Sequence, residues 1–199
     1  MKKTLTLISL GCVLMSCTPK SSAATETEDL QVLNLPANYI TYNSLSDMKA
    51  AADIIVIGRP LKDFSQRETS SKKTADGVMY DFHTLTEIHV SRWIKGNELI
   101  KGNKITVIEP VMISSREGER VILTTEGYSQ MDRKNEYMIF IKSNGRGGYG
   151  VINMNNGRYS TAELKGEDLQ ESASPVHEEQ KEIREQIKKS ILQDYGRDI

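Results

Sequence analysis

Along residues 80–95 (YDFHTLTEIHVSRWIK) the even positions Tyr80, Phe82, Ile88, Val90 and Ile94 are apolar, and the odd positions Asp81, His83, Glu87, His89 and Ser91 are polar. A period of two predicts a half-buried β-strand. At about 3.3 Å per residue an unbroken strand of this length would span roughly 50 Å, well beyond the usual five or six residues. It must therefore coil or bend to stay on a small core, as a strand does when it is shared between the two curved sheets of a closed barrel. Trp93 and Leu85 fall on the polar side of this alternation.

The rest of the chain supplies partners for such a strand. Residues 53–58 (DIIVIG) form a continuous β-branched run, the pattern of a strand buried on both faces. Residues 104–110 (KITVIEP) alternate until Pro110 ends the ladder. Residues 111–113 and 121–125 flank the charged turn 115–120 and predict a hairpin. Residues 135–142 (NEYMIFIK) and 149–154 (YGVINM) predict two more strands, with a glycine-rich turn between them. Asn156-Gly157 marks a tight turn before residues 158–161. Residues 62–77 (KDFSQRETSSKKTADG) read as a polar loop containing Lys72 and Lys73, and residues 30–35 as an extended lead-in broken at Pro36.

Two helices are predicted. Residues 44–52 have Ser44 placed to cap and Asp47 in the first turn. After a polar linker, Ser174-Pro175 opens a second helix carrying the stripe Val176, Ile183, Ile187, Ile191 and Tyr195, with Leu192 beside it and Gly196 as its stop. The stripe predicts that this helix docks on its own domain; a separate partner is the competing use.

Residues 52–58, 87–96 (EIHVSRWIKG), 105–107 and 136–141 (EYMIFI) together resemble bacterial exported domains related to the tissue-inhibitor-of-metalloproteinases and netrin-like fold. The resemblance covers roughly residues 44–164 and implies a mainly β fold: a five-stranded OB-type barrel with a short N-terminal helix and a C-terminal amphipathic helix. The family's protease inhibition does not transfer with it. Those inhibitors chelate the protease zinc through an N-terminal cysteine held by disulfides, and no such cysteine pattern stands at the barrel start here.

The N-terminus carries a different signal. A basic head, Lys2 and Lys3, precedes the apolar run 4–15, too short to span a bilayer as a helix of about 20 residues. Leu14-Met15-Ser16-Cys17 resembles the lipobox of bacterial lipoproteins, which implies cleavage before Cys17 and a diacylglycerol on its sulfur; Cys12, with Ser9 three residues before it, fits less well. Two acyl chains suffice for stable anchoring. The expected organisation is a signal peptide at 1–16, a lipidated cysteine and polar tether at 17–32, a barrel domain at 33–165, and a linker with the C-terminal helix at 166–199. The membrane is then a partner through the lipid, and the expected location is the extracytoplasmic side of a bacterial membrane.

Removing residues 1–16 takes away Cys12, Lys2 and Lys3, so the mature chain has one cysteine and its formal charge moves from −1 to −3. That balance argues against nucleic acid as a partner. Without disulfides the domain has to rest on its apolar core, which a chain of this length can build.

Catalytic signatures are weak. Residues 145–150 (GRGGYG) match G-x-G-x-x-G, but a strand follows where a dinucleotide site needs a helix. His177-Glu178 begins like H-E-x-x-H, with Lys181 in place of the second histidine. Asp81, His83, Glu87 and His89 give two His/carboxylate pairs on one strand, too far apart, at about 20 Å, to share an ion without a sharp bend. No catalytic residue, cofactor or metal is assigned. The expectation is a non-enzymatic binding or accessory module of the cell envelope, meeting an unidentified protein or envelope ligand, with Asp81, His83, Glu87, His89 and Trp93 as the candidate contact surface. The alternative is an envelope hydrolase using the carboxylates and histidines of that strand, provided they converge with a residue from another strand.

Overall fold

A computed structural model describes residues 30–167, 178–197 and 199. Among the described residues there are ten strands: β1 (Gln31–Leu35), β2 (Ile54–Pro60), β3 (Glu68–Lys73), β4 (Met79–Lys95), β5 (Lys104–Glu109), β6 (Val111–Arg116), β7 (Glu119–Thr125), β8 (Tyr137–Ser143), β9 (Tyr149–Val151) and β10 (Arg158–Ser160). Three helices accompany them: α1 (Leu45–Ala51), α2 (Thr161–Lys165) and α3 (Glu178–Tyr195).

Five strands close into a barrel. Pairing runs β2–β4–β5–β9–β8 and returns to β2, with β5–β9 the parallel contact and the others antiparallel. This is an OB-type barrel. β4 is what closes it: along one edge it pairs first with β3 and then with β2, and along the other with β5. The required bend comes from two register shifts against β2, which leave Ser91 and Ile94 of β4 without opposite residues. Gly58 sits at one of them. A Cβ there would lie 2.5 Å from the His89 carbonyl oxygen, so only glycine lets the two strands approach this closely.

The bulges also change which side chains face inward. Ile88 and Val90 lie in the barrel interior as the alternation predicts, but past Ser91 the phase flips and Trp93, expected on the polar face, packs half-buried against the interior cluster with Ile54, Val56 and Ile141. Ile94 turns the other way, onto the layer under the helices. At the opposite end of β4, Tyr80 is 64% exposed although it belongs to the apolar phase, because β3 and β4 run on there as a separate two-stranded arm.

The β-branched run of β2 and the apolar run of β8 each serve two cores. Ile54, Val56, Ile139 and Ile141 fill the barrel, while Ile55, Ile57, Met138 and Phe140 point outward and are covered by α1 and α3. Ile187 and Ile191 of α3 are fully buried in that outer layer, with Ile183 and Tyr195 at its margin, so the helix docks on its own domain. Arg184 fixes its position. It forks onto Glu163 of α2 (Nε–Oε1 3.0 Å, Nη2–Oε2 2.7 Å), donates to the Asn155 and Arg158 carbonyls, and stacks 4.4 Å from the centre of the Tyr159 ring. Ser174, Pro175, Val176 and His177 lie outside the described residues.

Three local expectations are corrected. Residues 62–77 are not simply a loop: they contain the 3₁₀ turn Phe64–Gln66 and strand β3, polar on both faces, which forms because the long β4 offers it a free edge. The lead-in at residues 30–35 is strand β1, pairing parallel with β7 to make a second sheet β1–β7–β6. The two predicted helices are joined by a third: after β10 the chain forms the short helix α2, which Ser160 caps and Gly166, at φ 76°, ends. The predicted hairpin at 111–125 is present with longer arms, turning on Glu117 and Gly118, both at positive φ.

Candidate functional site

Two groups of polar side chains stand out, one on the barrel wall and one inside it. On the outer face of β4 each candidate residue is paired with its own neighbour. Asp81 meets Lys72 of β3 at 3.2 Å, with the His83 ring 3.8 Å away; Glu87 meets Lys104 of β5 at 3.1 Å; His89 lies 3.1 Å from the Asn103 amide. The two ion pairs are cross-strand pairs on an accessible surface, each contributing a fraction of a kcal/mol. The four do not converge on one point, and among the described residues no three His, Cys, Asp or Glu side chains are placed to hold a metal ion. Trp93 belongs to the barrel interior and not to this face. What the wall presents is a band of alternating charge, suited to contact and not to focusing several groups on a reacting atom. Residues 144–148 form the turn between β8 and β9, with Asn144 Oδ1 accepting from the Arg146 and Gly148 amides, so the glycine-rich motif is a hairpin. Cys17 lies outside the described residues.

The interior group is centred on Glu109, the last residue of β5. Ile105 and Val107 before it point into the barrel, so the same phase carries the Glu109 carboxylate inward, where it is fully buried. Four donors meet it: the Arg67 guanidinium at 2.9 Å, the Thr86 hydroxyl, the Tyr128 hydroxyl at 2.9 Å and the Met131 amide at 2.9 Å. Arg67 reaches it from just beyond the 3₁₀ turn, and its other nitrogens donate to the Met131 and Lys62 carbonyls. Burial and the Glu109 charge hold the Tyr128 hydroxyl well above its ordinary pKa, so it stays a neutral donor.

A second buried cation continues the cluster. Arg158 of β10 lies between the rings of Tyr128 and Tyr137, 5.2 and 5.4 Å from their centres, and donates to the Ser129 carbonyl at 2.7 Å. Since all four acceptor positions of Glu109 are taken, it offers no free lone pair to a ligand while this arrangement holds. Its chemistry is to position what surrounds it.

Near this cluster three asparagines radiate from one turn. Asn153 holds both main-chain groups of Tyr42, Asn155 binds the Ser129 amide and the Gly127 carbonyl, and Asn156 donates to Gln180 of α3. Of these groups, the sequence held a sign of Glu109 alone: a carboxylate in the inward phase of a barrel strand needs a partner. Arg67, Tyr128 and Arg158 come from remote segments that no spacing connects.

Compared with known proteins by sequence, the chain matches no protein family's profile and shows no significant similarity to a curated protein.

Proposed function

We propose that this protein is a lipid-anchored binding or accessory module of a bacterial cell envelope, acting on the extracytoplasmic side of the membrane. The observation that carries the reading is the run Leu14-Met15-Ser16-Cys17, placed after a basic head and an apolar segment and before a polar stretch that leads to a barrel domain. The domain's resemblance to exported tissue-inhibitor-of-metalloproteinases and netrin-like barrels supports the same reading. The outer face of β4, with Glu87 and His89 on the barrel and Asp81 and His83 on the arm it forms with β3, is the surface we assign to a protein or envelope ligand, because it is accessible and carries both signs of charge. Trp93, packed inward, is dropped from it.

The alternative of a hydrolase on this strand gains no support from the geometry, since its side chains pair separately. The anchoring is tested by labelling cells that express the full chain with radioactive palmitate. Label on the wild type and none on Cys17→Ala is expected, whereas label that persists in Cys17→Ala overturns the assignment. For the contact surface, Glu87→Lys combined with Asp81→Lys is expected to abolish crosslinks from this wall in intact cells and to leave the lipid label unchanged.

A further inference from the structure

The connection between β7 and β8 crosses the barrel end, and its main chain is held in an unusual way. In residues 127–132 the Gly127 amide donates to Asn34 Oδ1 (2.8 Å), the Ser129 amide to Asn155 Oδ1 (3.0 Å), the Met131 amide to Glu109 Oε2 (2.9 Å) and the Asp132 amide to the Tyr137 hydroxyl (2.8 Å). The carbonyls follow suit. Those of Gly127, Tyr128, Ser129 and Met131 accept from Asn155, Thr124, Arg158 and Arg67. Local main-chain turns are made at two points, where the Tyr128 amide donates to the Thr125 carbonyl and where the Asp132 carbonyl accepts from the Asn135 amide. Buried main-chain groups have to be paired, and here side chains do almost all of the pairing where a strand would use its ladder.

Such a segment has no cooperative ladder of its own, so its order depends on the side chains that stitch it. The segment also seals the interior: Met131 is fully buried among Ile88, Val107, Tyr137 and Ile139 of the barrel, and Tyr128 is buried beside Arg158. At its start Glu126 and Gly127 both adopt left-handed backbone conformations, φ 49° and 66°, a natural pivot. Of the ties, the Arg67–Glu109 pair is the one that holds both the amide and the carbonyl of Met131, which is fully buried.

We infer that residues 127–132 are a strap over the barrel end that opens as a unit ahead of the strands, and that the Arg67–Glu109 pair keeps it shut. Opening withdraws Met131 and gives solvent or a ligand a route to the interior face of β4, β5 and β8. A buried ion pair is a weak source of net stability but a strong source of positional specificity in this arrangement, because a hydrophobic replacement of similar volume fills the space without binding the strap's main chain.

The test is amide hydrogen exchange on the full chain. In the paired variant Arg67→Met with Glu109→Leu, the amides of Ser129, Met131 and Asp132 are expected to exchange at least about tenfold faster than in the wild type, while those of β2 and β8 stay within about twofold. Glu109→Gln removes the charge of the pair and keeps its shape, so it is expected to show a smaller acceleration confined to the same amides, and it decides the matter if the paired variant does not fold. Equal acceleration in the strap and in β2 and β8 would show that the pair holds the whole fold. Strap amides that keep wild-type rates in the variants that fold would show that the pair is not the latch. Either result overturns the inference.

Discussion

Ile191→Ala measures how far the C-terminal helix belongs to the barrel. Ile191 is 0% exposed and lies in the layer formed by the outward faces of β2 and β8, next to Met138 and Phe140 in the same cluster. The substitution removes three carbons. At about 0.8 kcal/mol per buried CH₂ the transfer loss is about 2.4 kcal/mol, and the cavity left behind raises the total to about 3–4 kcal/mol, within the range for Ile→Ala in a core. The neighbouring Leu192 is 39% exposed, so Leu192→Ala on the same turn is expected to cost under about 1 kcal/mol. Helix propensity favours alanine slightly in both, so it cannot produce the difference. Urea unfolding read by tryptophan fluorescence suits the measurement, because Trp93 is the only tryptophan and packs against the barrel interior, on the far side of β2 from the helix. With a urea slope of about 2 kcal/mol/M, the Ile191→Ala midpoint is expected to fall by roughly 1.5–2 M and that of Leu192→Ala by less than about 0.5 M. Equal midpoints for the two variants would refute the docking argument. So would a helical signal lost in advance of an unchanged Trp93 transition, since that would make the helix a separate unit.

Other consequences can be checked on the same preparation. At Gly157 an added Cβ would run into the Ile152 carbonyl oxygen, a main-chain atom that cannot swing aside, so Gly157→Ala is expected to cost several kcal/mol and show as a large fall in thermal midpoint. The Tyr159 hydroxyl is buried with no hydrogen-bond partner among the described residues, and Tyr159→Phe is expected to leave stability unchanged or raise it by about 1 kcal/mol in urea unfolding. Burial raises the pKa of Tyr159 above its ordinary value of 10.0 and that of Tyr128 well above it. Their protons therefore stay on the folded chain where the unfolded chain loses them. Stability is full below about pH 10 and falls as pH rises past it, and Tyr159→Phe is expected to make that alkaline fall shallower.

Much of the fold was legible in the sequence. The alternation in β4, the β-branched run of β2, the apolar run of β8 and the stripe of α3 are local patterns, and each fixes which side of an element is wet and which is dry. Where the reading failed, local pattern was not what decided. β3 has no apolar phase and exists because β4 leaves an edge open to it. Trp93 faces the core because the bulge at Ser91, itself a consequence of closing the barrel, shifts the phase of its strand. The candidate residues Asp81, His83, Glu87 and His89 were correctly read as sharing a face, since a strand puts alternate residues on one side. Which partner each finds depends on the register of β3 and β5, which a single strand does not encode.

By itself, then, the sequence determined a mainly β domain with a docked C-terminal helix and an N-terminus that resembles a lipoprotein signal. These rest on periodicity and on a short contiguous motif, both written within a few residues. Only the tertiary structure decided the interior cluster: Arg67, Thr86, Glu109, Tyr128 and Arg158 are separated by long stretches of chain, and they meet because barrel closure brings the middle of β4, the end of β5 and the start of β10 around one loop. A buried carboxylate demands partners, but which remote residues supply them is settled by topology, and topology is not a local property of the chain.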